Sequence, residues 1–230
     1  MVNTTLSNQK IVETVKRDGI CVLGDDILSE EQKEFFLASL DELSKNDSDY
    51  KFGKAYNTGG VHNWLGTPVA ELCSSPLVTE FISSYFNKRV GCEVFLTHEY
   101  KNDEGLDRNG FLHFDRLHTL KFFIYLTDCD EESGAFHYVP GSHKMGKKLR
   151  EQGSLSYVDD FISNKKDYDE KKNRLEVDFP ELGYTASDAL PITGKAGTIF
   201  IFDTDLFHFG GKIANGKERK VMRIHLRNTI

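Results

Sequence analysis

Three residues have the types and the spacing needed to hold a metal ion. His113 and Asp115 are two positions apart, so their imidazole and carboxylate share one face if this segment is a β-strand. His208 follows an apolar, strand-like stretch from which a folded sheet can bring a second imidazole back to this pair. Two histidines and one carboxylate around an octahedral ion leave three positions open, as in non-haem Fe(II) oxygenases that bind a cosubstrate together with O2. His113, Asp115 and His208 are therefore the predicted metal ligands.

A buried arginine is predicted to accompany the metal. Arg219 opens the last apolar stretch, in which the odd-numbered positions from 219 to 227 share one strand face. Its guanidinium offers a fixed fork of donors to a carboxylate. Arg223 lies on the same face and is the alternative if the strand register differs.

Helices are predicted mainly in the first part of the chain. Ser7 can cap a helix that runs to about Arg17, with Gly19 as its stop. Ser29 and Gln32 have the spacing of a capping box at the start of a second helix. A third helix is predicted from about residue 77 to residue 87. These helices should flank a β-core.

From Cys92 onward the apolar pattern changes to that of strands. The predicted strands are 92–100, 111–115, 119–127, 135–139, 198–203 and 219–227. Short strands separated by Gly, Asp and Asn turns indicate a mainly β fold with flanking helices and a double-sheet jelly roll as its core. We expect one domain, 1–230, with a helical flank over about 1–90 and a β-core over about 91–230. A charged stretch over about 154–174 is predicted to be an insertion.

Composition argues against several classes of partner. The 230 residues include 29 Lys plus Arg against 36 Asp plus Glu, a net charge of −7 that gives no basic excess for nucleic acid. The apolar stretches are far shorter than the roughly 20 residues of a membrane-spanning helix. The N-terminal stretch has no apolar signal core, so a cytoplasmic location is expected. Four scattered cysteines form no C-x-x-C pair.

Several segments together resemble the phytanoyl-CoA dioxygenase family of Fe(II)/2-oxoglutarate oxygenases. They are the opening around 18–23, the His113-x-Asp115 pair, the run from Glu132 to Lys144 that ends Val139-Pro-Gly-Ser-His-Lys144, and the stretch from His208 to Arg219. The resemblance implies a double-stranded β-helix core of the cupin-like type. It also implies iron held by His113, Asp115 and His208, with the distal carboxylate of 2-oxoglutarate paired with Arg219.

The same resemblance indicates further cosubstrate contacts. The family often adds a donor from the strand after the iron pair, and Tyr125 is the predicted one because its hydroxyl can donate to a carboxylate. Lys121 is an alternative anchor, since other oxygenases on this core use a lysine from the corresponding strand. The Gly-rich segment 56–65 is predicted either to close over the site or to pack as a surface loop.

The resulting hypothesis is a dioxygenase that uses Fe(II), 2-oxoglutarate and O2 to hydroxylate a small molecule and releases succinate and CO2. Asp115 argues against halogenation, because related halogenases lack the carboxylate ligand. Two alternatives are a non-catalytic cupin-like metal-binding protein and a metal-dependent hydrolase or isomerase on the same core. The sequence leaves the substrate open, including whether it is a coenzyme A thioester.

Overall fold

The computed structural model describes residues 6–45, 54–86, 90–100, 111–115, 117–153, 174–176 and 183–227. The helices of these residues are α1 (Asn8–Asp18), α2 (Glu30–Lys45), α3 (Pro68–Ser74), α4 (Pro76–Phe86) and α5 (His143–Gly153). The strands are β1 (Ile20–Gly24), β2 (Lys54–Gly60), β3 (Gly91–Tyr100), β4 (His113–Asp115), β5 (Leu120–Tyr125), β6 (Phe136–Tyr138), β7 (Arg174–Glu176), β8 (Leu190–Ile192), β9 (Ile199–Asp203), β10 (His208–Gly210) and β11 (Glu218–Arg227). Apart from its last residue, the predicted insertion over 154–174 lies outside the described residues.

The first two helices begin at the predicted capping residues. Ser7 Oγ accepts a hydrogen bond from the Lys10 N–H at 3.3 Å, and Gly19 ends α1 in the left-handed conformation with φ of 83°. At α2, the Gln32 N–H donates to Ser29 Oγ at 3.2 Å, while the Gln32 side chain accepts from the Ser29 N–H at 3.0 Å. These reciprocal bonds form the predicted capping box.

Two antiparallel sheets form the core and confirm the predicted jelly roll. Within the described residues, the large sheet has the order β1-β9-β5-β11-β3-β2, and the small sheet has the order β7-β4-β10-β6-β8. β11 pairs with β3 along its whole length and with β5 over residues 221–226. Neighbouring strands come from distant parts of the chain, so the fold brings residues near 113, 208 and 219 into one region.

The two faces of the large sheet have different partners. One face, which includes Leu96, Ile124 and Met222, packs against the helices in the larger apolar cluster. The opposite face, which includes Phe123 and Phe200, packs against residues of the small sheet. The alternation predicted for 219–227 is correct, because even positions 222, 224 and 226 lie in the helix-covered cluster. The odd-numbered side of the strand therefore faces the small sheet.

Several elements were not predicted. Strand β10 and helices α3 and α5 are absent from the sequence prediction, and His143 begins α5. The segment 56–65 forms most of edge strand β2 and a short 3-10 helix over Val61–Trp64. Trp64 packs on the helix-covered cluster, and its Nε1–H donates to Thr58 Oγ1 at 2.9 Å. Across the described parts of the chain, no helix has the length and apolarity to cross a bilayer.

Candidate metal centre

The three predicted metal ligands meet in the small sheet. His113 and Asp115 lie on β4, and His208, at the start of β10, is the antiparallel partner of His113. The centroids of the two imidazole rings are 4.5 Å apart, and His208 Nε2 lies 3.8 Å from Asp115 Oδ1. Each residue offers a donor atom within 4.8 Å of the donor atoms of the other two. The fold thus brings together residues that are up to 95 positions apart in sequence.

Backbone hydrogen bonds orient both imidazoles. His113 Nδ1 lies 2.7 Å from the carbonyl oxygen of Phe111, and His208 Nδ1 lies 2.6 Å from that of Leu206. A carbonyl oxygen only accepts, so each Nδ1 carries the proton and donates it. In a neutral imidazole the lone pair is then on Nε2, which is the nitrogen a metal ion would bind.

Asp115 is held in its ionised form. Lys121 Nζ on β5 donates to Asp115 Oδ2, whereas Oδ1 is the oxygen nearer His208. Burial alone would raise the pKa of Asp115, but the charges of Lys121, His208 and His113 outweigh burial and lower it. The carboxylate therefore stays ionised at neutral pH, with Oδ1 turned toward the imidazoles.

A cleft opens between the sheets beside these three residues. Its aromatic wall consists of Phe123, Phe136 and Phe202. Its polar wall, besides the three predicted ligands, consists of Thr97, Glu99, Lys121, Arg219 and Arg223. All five polar residues belong to the large sheet, so the cleft has predicted metal ligands on one side and a row of polar side chains on the other.

Arg219 lies in this cleft and forms a buried ion pair. Its Nε donates to Glu99 Oε2 at 2.8 Å, its Nη2 donates to the same oxygen at 2.5 Å, and its Nη1 donates to the carbonyl oxygen of Gly134. The side chain of Arg219 is 5% exposed and that of Glu99 is 17% exposed. Sequence reasoning missed Glu99, although its spacing from Thr97 on the predicted strand 92–100 puts both residues on one face.

Gly210 makes room for the guanidinium. A Cβ added at Gly210 would lie 2.5 Å from Arg219 Nη2 and 3.0 Å from Nη1, which is too close for a non-bonded contact. Strand β10 therefore contributes His208 to the metal site and, two residues later, a side-chain-free position beneath Arg219.

The structure does not bring Tyr125 to the cleft. The Tyr125 hydroxyl donates to the carbonyl oxygen of Ile192 at 2.7 Å and accepts from the Phe136 N–H at 2.9 Å. Burial raises the pKa of this hydroxyl, which keeps it a neutral donor. Tyr125 joins the two sheets beneath the cleft, and we assign it no cosubstrate contact.

The two alternative anchors both line the cleft. Lys121 is engaged with Asp115, as described above. Arg223 Nη2 donates to Thr97 Oγ1 at 2.8 Å, and its guanidinium carbon is 5.5 Å from the centre of the Phe95 ring. Arg219 lies against Gly210 of β10, whereas Arg223 lies farther along β11 on the same face.

A second histidine and aspartate cluster lies behind the site. His118 Nε2 is 3.0 Å from Asp203 Oδ1 and 3.8 Å from Asp205 Oδ2. Burial alone would lower the pKa of His118, but the hydrogen bond and charge of Asp203, together with the charge of Asp205, raise it. The protonated imidazole is therefore favoured by folding.

Replacing His118 with glutamine should cost stability mainly at low pH. The raised pKa means that the ion pair contributes fully below the unfolded value of about 6.5 and is lost as pH rises through the folded value. Since the His118 side chain is 40% exposed, we expect a loss of about 0.2–1 kcal/mol. Urea unfolding at pH 5.5 and pH 8.5 measures it, with exposed His62→Gln as the control. An equal loss at both pH values would contradict the ion pair.

Solved structures of iron and 2-oxoglutarate enzymes share this fold. HygX from Streptomyces hygroscopicus, solved with nickel and 2-oxoglutarate, superposes with a TM-score of 0.65 at 17% identity, covering 98% of this chain and 88% of HygX. The epimerase SnoN, in complex with Fe3+, alpha ketoglutarate and nogalamycin RO, superposes with a TM-score of 0.64 at 13% identity. The match covers 96% of this chain and 83% of SnoN. The alpha ketoglutarate dependent carbocyclase SnoK from nogalamycin biosynthesis superposes with a TM-score of 0.64 at 16% identity. The match covers 99% of this chain and 87% of SnoK.

At such low identity the solved structures show only a shared fold, whereas a sequence model of a protein family shows the family to which the chain belongs. No curated protein matches the chain in sequence. The model described as phytanoyl-CoA dioxygenase (PhyH) matches residues 15–221, which include the predicted ligands, Glu99 and Arg219. Since this match spans most of the sequence, the chain belongs to the phytanoyl-CoA dioxygenase (PhyH) family.

Proposed function

We propose that this chain is an Fe(II)- and 2-oxoglutarate-dependent dioxygenase that hydroxylates a C–H bond of a small molecule. Family membership and structural neighbours solved with iron or nickel and 2-oxoglutarate support the dependence on these cofactors. The observation that carries the proposal is the presence, in one cleft, of His113, Asp115, His208 and a buried arginine.

The donor set fits Fe(II). Imidazole nitrogen and carboxylate oxygen suit this ion, and three protein donors leave coordination positions for a cosubstrate and O2. In the neutral imidazoles Nε2 is the unprotonated nitrogen, and the Lys121 ammonium compensates the charge of Asp115 before a metal ion binds. The residues are thus prepared for a cation before it binds.

Arg219 is the proposed partner of the distal carboxylate of 2-oxoglutarate. Three of its five N–H groups are used by Glu99 and Gly134, which leaves donors for a further acceptor. The absence of a side chain at Gly210 lets the guanidinium lie directly against strand β10, which also carries His208. Glu99 would fix the plane of Arg219, and the hydrogen bond to Gly134 would tie it to the loop before β6.

Once bound, iron with 2-oxoglutarate and O2 would supply oxidising power through decarboxylation of the keto acid to succinate and CO2. The chain's own contribution is orientation and exclusion of water. Phe136 and Phe202 pack against the His208 ring, with centroid distances of 5.3 and 5.1 Å. Their apolar surface would keep water away from one side of the metal centre.

Hydroxylation is proposed because the carboxylate ligand is present and insertion of oxygen is the default outcome of such a site. The structural neighbours described as an epimerase and a carbocyclase have the same fold, so the fold itself does not select the outcome.

We also propose that the helices and the β-core form one catalytic domain. The packing of the helices against one face of the large sheet supports this organisation.

Uncoupled turnover tests the proposal. Protein loaded with Fe(II) under anaerobic conditions, given 2-oxoglutarate and then O2, should form succinate, and a substrate should accelerate this reaction and gain one oxygen atom. Mass spectrometry with 18O2 identifies that atom. No binding of 2-oxoglutarate, with or without a screened substrate, would overturn the proposal. Metal binding alone would favour the non-catalytic alternative, and turnover without O2 or 2-oxoglutarate would favour a hydrolase or isomerase.

A further inference from the structure

Arg150 on α5 connects the two segments that carry the proposed metal ligands. Its Nε donates to Asp205 Oδ1 at 2.6 Å, and its Nη2 donates to the same oxygen and to the backbone carbonyl oxygen of Asp115. The guanidinium carbon is also 5.4 Å from the centre of the Phe114 ring. A single side chain therefore spans from β4 to the turn between β9 and β10.

The backbone of Asp115 is held on both sides. Its N–H donates to the carbonyl oxygen of Thr204 at 2.9 Å, while its carbonyl oxygen accepts from Arg150. Thr204 and Asp205 belong to the turn that leads directly to His208. The positions of Asp115 and His208 are thus linked through three or four residues of this turn.

Helix α5 packs closely against the turn between β9 and β10, so it can hold Arg150 in a fixed position relative to that turn. A Cβ at Gly146, four residues before Arg150, would overlap the carbonyl oxygen of Asp205, so the glycine permits the close approach. Just before the helix, Ser142 Oγ accepts from the Phe207 N–H at 2.8 Å. The segment from Ser142 to Arg150 therefore contacts the turn at Asp205 and again next to His208.

The cluster of His118, Asp203 and Asp205 has the composition of a second metal site, but its carboxylates already have partners. Asp205 pairs with Arg150, and Asp203 accepts from the Tyr85 hydroxyl at 3.1 Å and from the Asp205 N–H at 2.9 Å. His118 contacts both carboxylates. An arginine among these groups would repel a cation, so the cluster is better explained as a structural support of the turn.

We propose that Arg150 is a positioning residue that sets the separation of Asp115 and His208 and thereby the affinity for the metal ion. The inference rests on the proposed function, since it concerns the same metal ligands. Arg150 reaches Asp115 through its backbone carbonyl oxygen and reaches the turn through the Asp205 carboxylate, so we infer that it acts through these two groups. The planar guanidinium serves both acceptors at once, whereas a lysine ammonium is a single point charge.

Metal titration of the full chain tests this role. Dissociation constants for Co(II) and Mn(II) and the visible spectrum of the Co(II) protein are measured for wild type, Arg150→Met and Arg150→Lys. Lys147→Met on the exposed side of α5 is the matched control. We expect Arg150→Met to bind metal about 10- to 100-fold more weakly, as for loss of other groups that orient ligands. Arg150→Lys should lie between, and the Co(II) spectrum should change. The affinity of the metal-saturated Arg150 variants for 2-oxoglutarate should equal that of the wild type.

Circular dichroism separates misfolding from a specific loss. Wild-type affinity and spectrum in a folded Arg150→Met protein would overturn the inference, and if that variant does not fold, Arg150→Lys is judged by the same criterion. A loss of metal affinity equal to that of Lys147→Met would also overturn it. Two metal ions bound per wild-type chain would assign the His118 cluster as a metal site and refute its supporting role. No metal bound by wild type would overturn the proposed function as well.

Discussion

Replacing His208 with alanine is expected to remove iron binding and the conversion of 2-oxoglutarate to succinate. Loss of a group that only orients a ligand weakens metal binding about 10- to 100-fold, and loss of a ligand itself should exceed that range. His208 is 5% exposed and packs against Phe136 and Phe202. The cavity left by its ring should therefore also cost the metal-free protein roughly 1–3 kcal/mol.

His137→Ala is the matched control for this variant. His137 lies on the adjacent strand β6, opposite Phe209, and its Nδ1 also bonds the carbonyl oxygen two residues earlier, at 2.8 Å. It belongs to neither the ligand cluster nor the cleft wall. Titration with iron should show a loss of iron affinity in His208→Ala and none in His137→Ala. Urea unfolding measures the stability of both metal-free variants. Wild-type iron affinity in His208→Ala would exclude His208 as a ligand.

Removing the guanidinium of Arg219 is expected to affect stability and 2-oxoglutarate binding by different routes. Arg219→Met leaves the buried Glu99 carboxylate without its arginine, a change that costs about 3–5 kcal/mol. Replacing Glu99 with glutamine in the same protein should recover most of that loss, because exchanging a buried ion pair for neutral groups is often nearly neutral. The double variant is therefore a folded protein without the proposed anchor.

Binding of 2-oxoglutarate should stay weak in the double variant. Hydrogen bonds to a charged group contribute about 1.5–3 kcal/mol, which corresponds to roughly 10- to 100-fold in affinity. Calorimetric titration of Co(II)-loaded protein measures it, with Arg223→Met as a comparison on the same strand face. Undiminished 2-oxoglutarate affinity in the double variant, with a loss in Arg223→Met, would make Arg223 the anchor. Recovered stability without recovered affinity is the outcome expected for Arg219.

The predicted elements were those whose local chemistry is unambiguous. Ser7 and Gly19 delimit α1 because a side-chain cap and a left-handed glycine satisfy the end groups of the helix within a few residues. The alternation along β11 is equally local. The predicted jelly roll follows from many such strands, and the family resemblance added the correct core type.

Helix α5 and strand β10 were missed for a physical reason. The segment His143–Gly153 has a glycine at 146, which lowers helix propensity. That glycine is explained only by the approach of Asp205, which is distant in sequence. Strand β10 is three residues long, too short for a periodic pattern, and exists because His113 and Tyr138 flank its first residue.

The sequence by itself determined which side chains are available and which of them share a face. It predicted His113 and Asp115 as a pair of metal ligands, His208 as the third donor and Arg219 as an inward-facing residue of the last strand. Only the tertiary structure decided what each side chain meets, because those partners lie on other strands. It pairs Arg219 with Glu99, joins Lys121 to Asp115, and engages Tyr125 with the Ile192 and Phe136 backbone away from the cleft. The periodicity of a strand determines which of its side chains lie on the same face. How deeply a side chain is buried and which group it contacts depend on the register between strands that are far apart in the sequence.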